Sequence, residues 1–182
     1  MPTTEPVFGW TVPADTDPLA DGASAMRTLA GGISATLRSP AWAQLRSAAD
    51  QTLSADGWSQ AVLGAETDPG NIAAGNAITL PYAGLVAVTW GLTVGLTGTF
   101  TAVNISSALY VNGAEVQRGS SFASSSQPAM QSAGTVGSAL LNATAGMVLT
   151  LWGFVQVPGA TKKFLQSGTR LECIFHSERP AP

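Results

Sequence analysis

Residues 84–96 read GLVAVTWGLTVGL. Counted by twos, Val86, Val88, Trp90, Leu92, Val94 and Leu96 fall on one side, and Leu85, Ala87, Thr89, Gly91, Thr93 and Gly95 on the other. Successive side chains of a β-strand point to opposite faces. The stretch is therefore predicted as a long strand with an unbroken core face and a second face that is small and uncharged. Glycines and threonines interrupt the run, which is also shorter than the ~20 apolar residues a membrane-spanning helix needs.

Neighbouring runs extend the pattern. In Met147–Val157 both faces are largely apolar, with Met147, Leu149, Leu151, Val155 and Val157 on one and Val148, Trp152 and Phe154 on the other. An antiparallel strand that is apolar on both sides needs a cover over its outer face. Thr169–His176 alternates, with Leu171, Cys173 and Phe175 expected inward and Arg170, Glu172 and His176 outward. Asn112-Gly113, between LYV and AEV, fits both left-handed positions of a type I′ hairpin turn. That turn would pair Val111 with Ala114, Tyr110 with Glu115 and Leu109 with Val116. Further strands are expected at Gln44–Ser47, Trp58–Leu63, Asn76–Leu80, Gly98–Ile105, Ala108–Val111, Ala114–Arg118 and Gly134–Leu141. Short β runs between turn signals roughly every ten residues indicate an all-β sandwich or barrel. The Ser-rich run Gly119–Ser126 reads as a mobile loop, and Lys162-Lys163 as an exposed turn after Pro158-Gly159.

Charge is scarce. Only 10% of the 182 residues are charged, against about 25% in an average domain. From Pro69 to Thr161 the only charged residues are Glu115 and Arg118. The 45% hydrophobic content argues against disorder, which goes with few aliphatics and high net charge. A surface of Ser, Thr, Asn and Gln among small apolar residues suits packing against copies of itself or another protein. The eight basic residues are scattered and the net charge is −3, so no nucleic-acid partner is expected. A single cysteine, Cys173, allows no intrachain disulfide. MPTTEPVFGW lacks the basic and apolar regions of a signal peptide, so a cytoplasmically made, non-membrane protein is expected.

Three zones follow. Residues 1–22 are rich in Pro and Asp and read as an extended arm whose large apolar groups, Phe8 and Trp10, are candidate docking anchors. Residues 23–42 hold one short helix and a linker. Asp21 or Ser24 can cap the helix, and Met26, Leu29, Ile33 and Leu37 form a narrow stripe fit either to seal a coiled coil or to pack on the chain's own β-domain. Residues 43–182 form the β head. Candidate subunit-interface residues on its strands are Leu85, Ala87, Thr89, Trp152 and Phe154.

No catalytic, cofactor or metal residues are assigned. A hydrolytic triad needs a nucleophile, a His and an acid. The single His176 lies on an outward position near Glu172 and Glu178, where a solvated side chain is expected. Cys173 points inward and is expected to act as a small core hydrophobe. Glu66, Asp68 and Asn71 carry the oxygen type that calcium takes, but two carboxylates in a turn read first as a solvated loop. Phosphate-cradling glycine motifs are absent from the sequence.

The segments LPYAGLVAVTWGLTV, SALYVNGAEV, TAGMVLTLWGFV and LECIFHSE resemble the complement-type globular head, the jelly roll shared with tumour-necrosis-factor-like proteins. Pro81-Tyr82-Ala83-Gly84-Leu85 is the best marker of the resemblance, and the Leu-x-Val-Asn-Gly hairpin and Ala145-Gly146-Met147-Val148-Leu149 are further matches. It implies an antiparallel jelly-roll sandwich for residues 43–182, with an N-terminal arm and one short helix before it, and a tight homotrimer. The string FGWTVPADTDPLADGASAMRTLAGGIS is similar to the openings of minor tail and fibre proteins of phages infecting actinobacteria. Together the resemblances imply a non-enzymatic structural virion protein, a homotrimeric tail or fibre subunit partnered by itself and other virion proteins. A capsid decoration protein and a host glycan-binding module are the alternatives. Without a clustered Trp/Tyr platform visible in the sequence, the glycan reading is the weaker.

Overall fold

The computed structural model describes residues 3–4, 11–12, 24, 26–30, 41–124 and 131–178. The chain divides into two units, Met1–Pro40 with Pro180–Pro182, and Ala41–Arg179. In the first, β1 (Thr3–Thr4) pairs antiparallel with β2 (Thr11–Val12). Residues 24 and 26–30 are helical, with the Thr28 hydroxyl donating to the Ser24 carbonyl at 3.0 Å. Met26 is exposed and Leu29 half-buried, while Phe8, Trp10, Ile33 and Leu37 lie outside the described residues.

In the second unit β3 (Trp42–Arg46), β4 (Gln51–Leu53), β5 (Gly57–Gln60), β6 (Gly64–Thr67), β7 (Ala73–Ala74) and β8 (Ala77–Thr79) precede the longest strand, β9 (Gly84–Thr97). After it come β10 (Val103–Val111), β11 (Ala114–Ser124), β12 (Ser132–Ala143), β13 (Val148–Gln156), β14 (Thr161–Phe164) and β15 (Arg170–Glu178). One sheet runs β11-β10-β13-β8-β7, with β5 also on β13; the other runs β4-β14-β9-β15-β3-β6, with β12 also on β9. Every pairing is antiparallel. The two sheets form a jelly-roll sandwich. Their inner faces interdigitate, as apolar sheet faces must to leave water.

The alternation of residues 84–96 holds throughout: Val86, Val88, Trp90, Leu92, Val94 and Leu96 are all buried. Leu171, Cys173 and Phe175 of β15 join them. From the opposite sheet come Ile105, Leu109, Leu149, Leu151 and Val155. Asn112 and Gly113 take φ of 51° and 81°, the left-handed pair that a type I′ turn demands. Inside the sandwich the Trp90 indole N–H donates to the Ser107 hydroxyl at 3.1 Å, linking β9 to β10. Its ring fits because two neighbours lack side chains. A Cβ on Gly137 would lie 2.2 Å from Trp90 Cζ2, and one on Gly119 would lie 2.6 Å from Ser107 Oγ.

Several elements differ from the sequence reading. Gly119–Ser126 is not a loop up to Ser124; those residues continue β11, paired through Ser121, Phe122, Ala123 and Ser124 to β10. Serine is a poor guide here, because an edge strand needs no apolar side chain on its open face. Val116 does not face Leu109. The register runs Tyr110–Glu115 and then Leu109–Gln117, so Val116 is an extra, half-exposed residue in a β-bulge. Gly98–Ile105 and Ala108–Val111 are one strand that starts at Val103, and β4, β6, β7 and β14 were too short to read from periodicity.

Lys162-Lys163 is not an exposed turn. Both residues lie in β14, whose pairing with β4 carries them to two aspartates. Lys162 is buried and ion-paired with Asp56, while Lys163 pairs with Asp50 at 2.5 Å. The Lys162 ammonium holds the Asp56 carboxyl below its ordinary value, against the opposing effect of burial; Lys163 and then the Gln166 backbone N–H do the same for Asp50. A depressed carboxylate stabilises the fold fully above its unfolded pKa, about 3.9, and the contribution is lost as pH falls through the lower folded value.

Gly137→Ala is expected to destabilise the head by about 2–3 kcal/mol in urea unfolding, because Trp90 has nowhere to retreat. Asp56→Asn keeps an acceptor for the Val157 N–H but strips Lys162 of its counter-charge. At neutral pH it should lower Tm more than Asp50→Asn does, and the gap from wild type should shrink as pH falls below about 3.9.

Candidate functional site

Two outward faces carry the residues of interest, one on each sheet. On the β9 sheet, register places Trp42, Ile174, Ala87 and Leu140 in one row across β3, β15, β9 and β12. Leu140 and Ile174 are 63% and 49% exposed, and Val136, four residues before Leu140 on β12, is 61% exposed. Leu85, Ala87 and Thr89 all lie on this face. Thr89 donates its hydroxyl to Glu172 at 3.0 Å, which closes the polar row beside the apolar one. Trp42 and Ala87 of this row are half-buried, so its exposed apolar area comes from Ile174 and Leu140.

Only part of this face is open. The small residues Gly91 and Gly95 are buried, because residues 165–168 of the same chain cross over them. A Cβ on Gly95 would lie 2.7 Å from Leu165 Cδ2, and one on Gly91 2.9 Å from the Gly168 carbonyl. The Leu165 N–H donates to the Thr93 carbonyl at 2.8 Å. So the glycine half of the β9 outer face serves its own loop, and the Leu85–Thr89 half remains open.

The second face belongs to the β13 sheet, where Trp152 and Phe154 lie. They therefore sit on the opposite side of the sandwich from Leu85, Ala87 and Thr89, and one flat contact cannot hold both sets. Trp152 stacks on Tyr110, with ring centroids 4.9 Å apart and planes at 28°. Trp58 packs on Phe154 at 5.5 Å and on Tyr110 at 6.2 Å. The Arg118 guanidinium lies 5.4 Å from the Trp58 ring centroid, within cation–π range. This is the clustered Trp/Tyr platform that the sequence did not show. Its rings come from β5, β10 and β13, and only strand register brings them together.

The bulge at Val116 completes this face. Residues three apart on a regular strand point to opposite sides. One extra residue between them puts Glu115 opposite outward Tyr110 and Arg118 opposite outward Ala108. Their side chains then meet in a two-point ion pair, Nε to Oε1 at 2.6 Å and a terminal nitrogen to Oε2 at 3.2 Å. Glu115 raises the Arg118 pKa further above its ordinary value. Beside this pair lies a groove of about 360 Å³ lined by Trp58, Phe154, Asn104, Ser106, Ser121 and Arg118. Within the described residues, the side chains of Asn104, Ser106 and Ser121 engage in no hydrogen bond.

The other sequence candidates do not converge. Cys173 is fully buried and burial pushes its thiol up to about 11. Asp68 Oδ1 and Oδ2 accept the Ile72 and Ala73 backbone N–H groups at 2.9 and 2.8 Å, and Glu66 pairs with Arg46 at 2.6 Å. Among the described residues no three His, Cys, Asp or Glu side chains gather as a metal site. The His176 side chain lies outside the described residues.

No protein-family model and no curated protein sequence matches the chain. Solved structures do match. Murine APRIL at pH 5.0 is 11% identical with a TM-score of 0.51, over 75% of this chain and 98% of that one. An Eiger TNF from S. frugiperda is 13% identical with a TM-score of 0.51, over 80% and 98%. The globular domain of zebrafish complement 1qA is 11% identical with a TM-score of 0.48, over 77% and 99%. At these identities the first two establish a tumour-necrosis-factor-like jelly-roll fold and no more.

Cys173 is expected to resist a thiol reagent at pH 8 in the folded protein and to react within minutes once denaturant is added. Rapid labelling of the native chain would contradict its burial.

Proposed function

We propose that the chain is a structural, self-assembling module, a homotrimer built through the open half of the β9 sheet's outer face. The observation that carries this is the apolar row Trp42–Ile174–Ala87–Leu140, exposed at Ile174 and Leu140 and flanked by exposed Val136. A cyclic trimer uses a heterologous contact, in which two different patches of one subunit meet head to tail. The two ends of the row, Trp42 with Ile174 and Leu140 with Val136, supply such patches on one face. Covering them with a second copy removes apolar area from water at roughly 25 cal/mol per Å². Trp152 and Phe154, packed against their own neighbours on the far side, need no such cover.

The finer assignment is a bacteriophage virion protein: a minor tail or fibre subunit attached through the arm that holds Phe8 and Trp10, with Met26, Leu29, Ile33 and Leu37 as trimerising helix positions. It is supported by the likeness of the N-terminal string to phage tail openings. Cryo-electron microscopy of virions tests it. Density for this chain on the tail supports the reading, and density at capsid three-fold positions moves it to the capsid.

Light scattering at micromolar concentration should give three times the chain mass. Leu140→Glu with Ile174→Glu places like charges at both ends of the row and should yield a folded monomer, with an unchanged far-ultraviolet circular dichroism spectrum. A monomeric wild type, or a double variant that still forms trimers, overturns the interface.

A further inference from the structure

We infer that the groove between Trp58 and Ser121 is a binding site for a neutral sugar ring. Register lines up Trp58, Phe154, Ser106 and Ser121 across β5, β13, β10 and β11, so one row passes from aromatic rings to hydroxyls. A pyranose has the matching two-sided character, with a face of polarised C–H bonds and a rim of hydroxyl groups. The C–H face suits an aromatic ring, whose π face carries partial negative charge. Ring hydroxyls both donate and accept, as do the uncommitted Asn104, Ser106 and Ser121 side chains.

Charge decides between neutral and anionic ligands. Arg118 is the one cation lining the groove, and Glu115 already holds it through two contacts. An anion would have to displace that carboxylate. A neutral ligand need only accept from the guanidinium N–H groups left over, since two of five are in use. The volume of about 360 Å³ lies at the small end of ligand sites, about 300–1,000 Å³, and suits one or two rings. All the lining residues lie on strands, so the site is preformed. It lies on the opposite sheet from the proposed subunit contact and does not depend on that contact.

The test is saturation-transfer difference NMR on the full chain with methyl α-glucopyranoside, methyl β-galactopyranoside, methyl β-N-acetylglucosaminide and, as the anionic arm, glucuronate. At least one neutral glycoside should receive saturation, with Kd of about a millimolar, as expected for a single small ring. Trp58→Ala and Asn104→Ala should each weaken it about fivefold or more. Asn104 is exposed, so its variant decides the matter if Trp58→Ala does not fold. Leu140→Glu with Ile174→Glu should leave single-site binding unchanged, which separates failure of this site from failure of the trimer. No transfer to any neutral glycoside, transfer to glucuronate alone, or unaltered binding by Asn104→Ala would each overturn the assignment.

Discussion

The hydrogen bond from the Trp90 indole to the Ser107 hydroxyl sets more than the spacing of two strands. Both partners are buried, so neither has water to turn to if the other is lost. Because side chains alternate, an inward Trp90 commits Ala87 and Thr89 to the opposite face of β9. An inward Ser107 likewise commits Ser106, Ala108 and Tyr110 outward on β10. A slip of one residue in either strand would exchange faces and leave an indole N–H unpaired in the core. Gly119 and Gly137 leave room for the ring, and there β11 and β12 approach, with the Val136 N–H donating to Ser120 Oγ at 2.9 Å. The outer faces of both sheets therefore depend on this one contact for which residues they present.

Local periodicity made part of this legible in advance. β9 and β15 alternate in the sequence while β13 is apolar on both faces, and the burial of Val86, Val88, Trp90, Leu92, Val94 and Leu96 follows from the first of these. Asn112-Gly113 was legible because its requirement is local, two left-handed residues in succession. What stayed hidden depends on partners distant in the chain. Lys162 looks like a surface lysine until β14 is laid beside β4 and Asp56 comes within reach. Gly91 and Gly95 look like a flat contact for another subunit until residues 165–168 fold over them. Trp58, Tyr110 and Trp152 are far apart in sequence, and no spacing rule links them. The Val116 bulge changes register through one residue that carries no special conformational signature.

The shortage of charge also takes on a more definite form. The two charged residues in Pro69–Thr161 neutralise each other, since Arg118 and Glu115 are in contact. Other ion pairs, Arg46 with Glu66, Lys162 with Asp56 and Lys163 with Asp50, draw on residues outside that stretch. Long-range electrostatic steering therefore has little to act on across that stretch. Such a surface is tolerant of salt, because there are few exposed unpaired charges for ions to screen.

β11 is a long strand at the end of its sheet, and edge strands invite a neighbouring chain to add another strand. Here the ladder is broken at Val116 and shifted again between Ser106 and Ala108. A foreign strand laid along this edge would lose register twice within a few residues. Open-ended growth from sheet edge to sheet edge is thereby discouraged, so the break in register protects the border of the sandwich against strand addition.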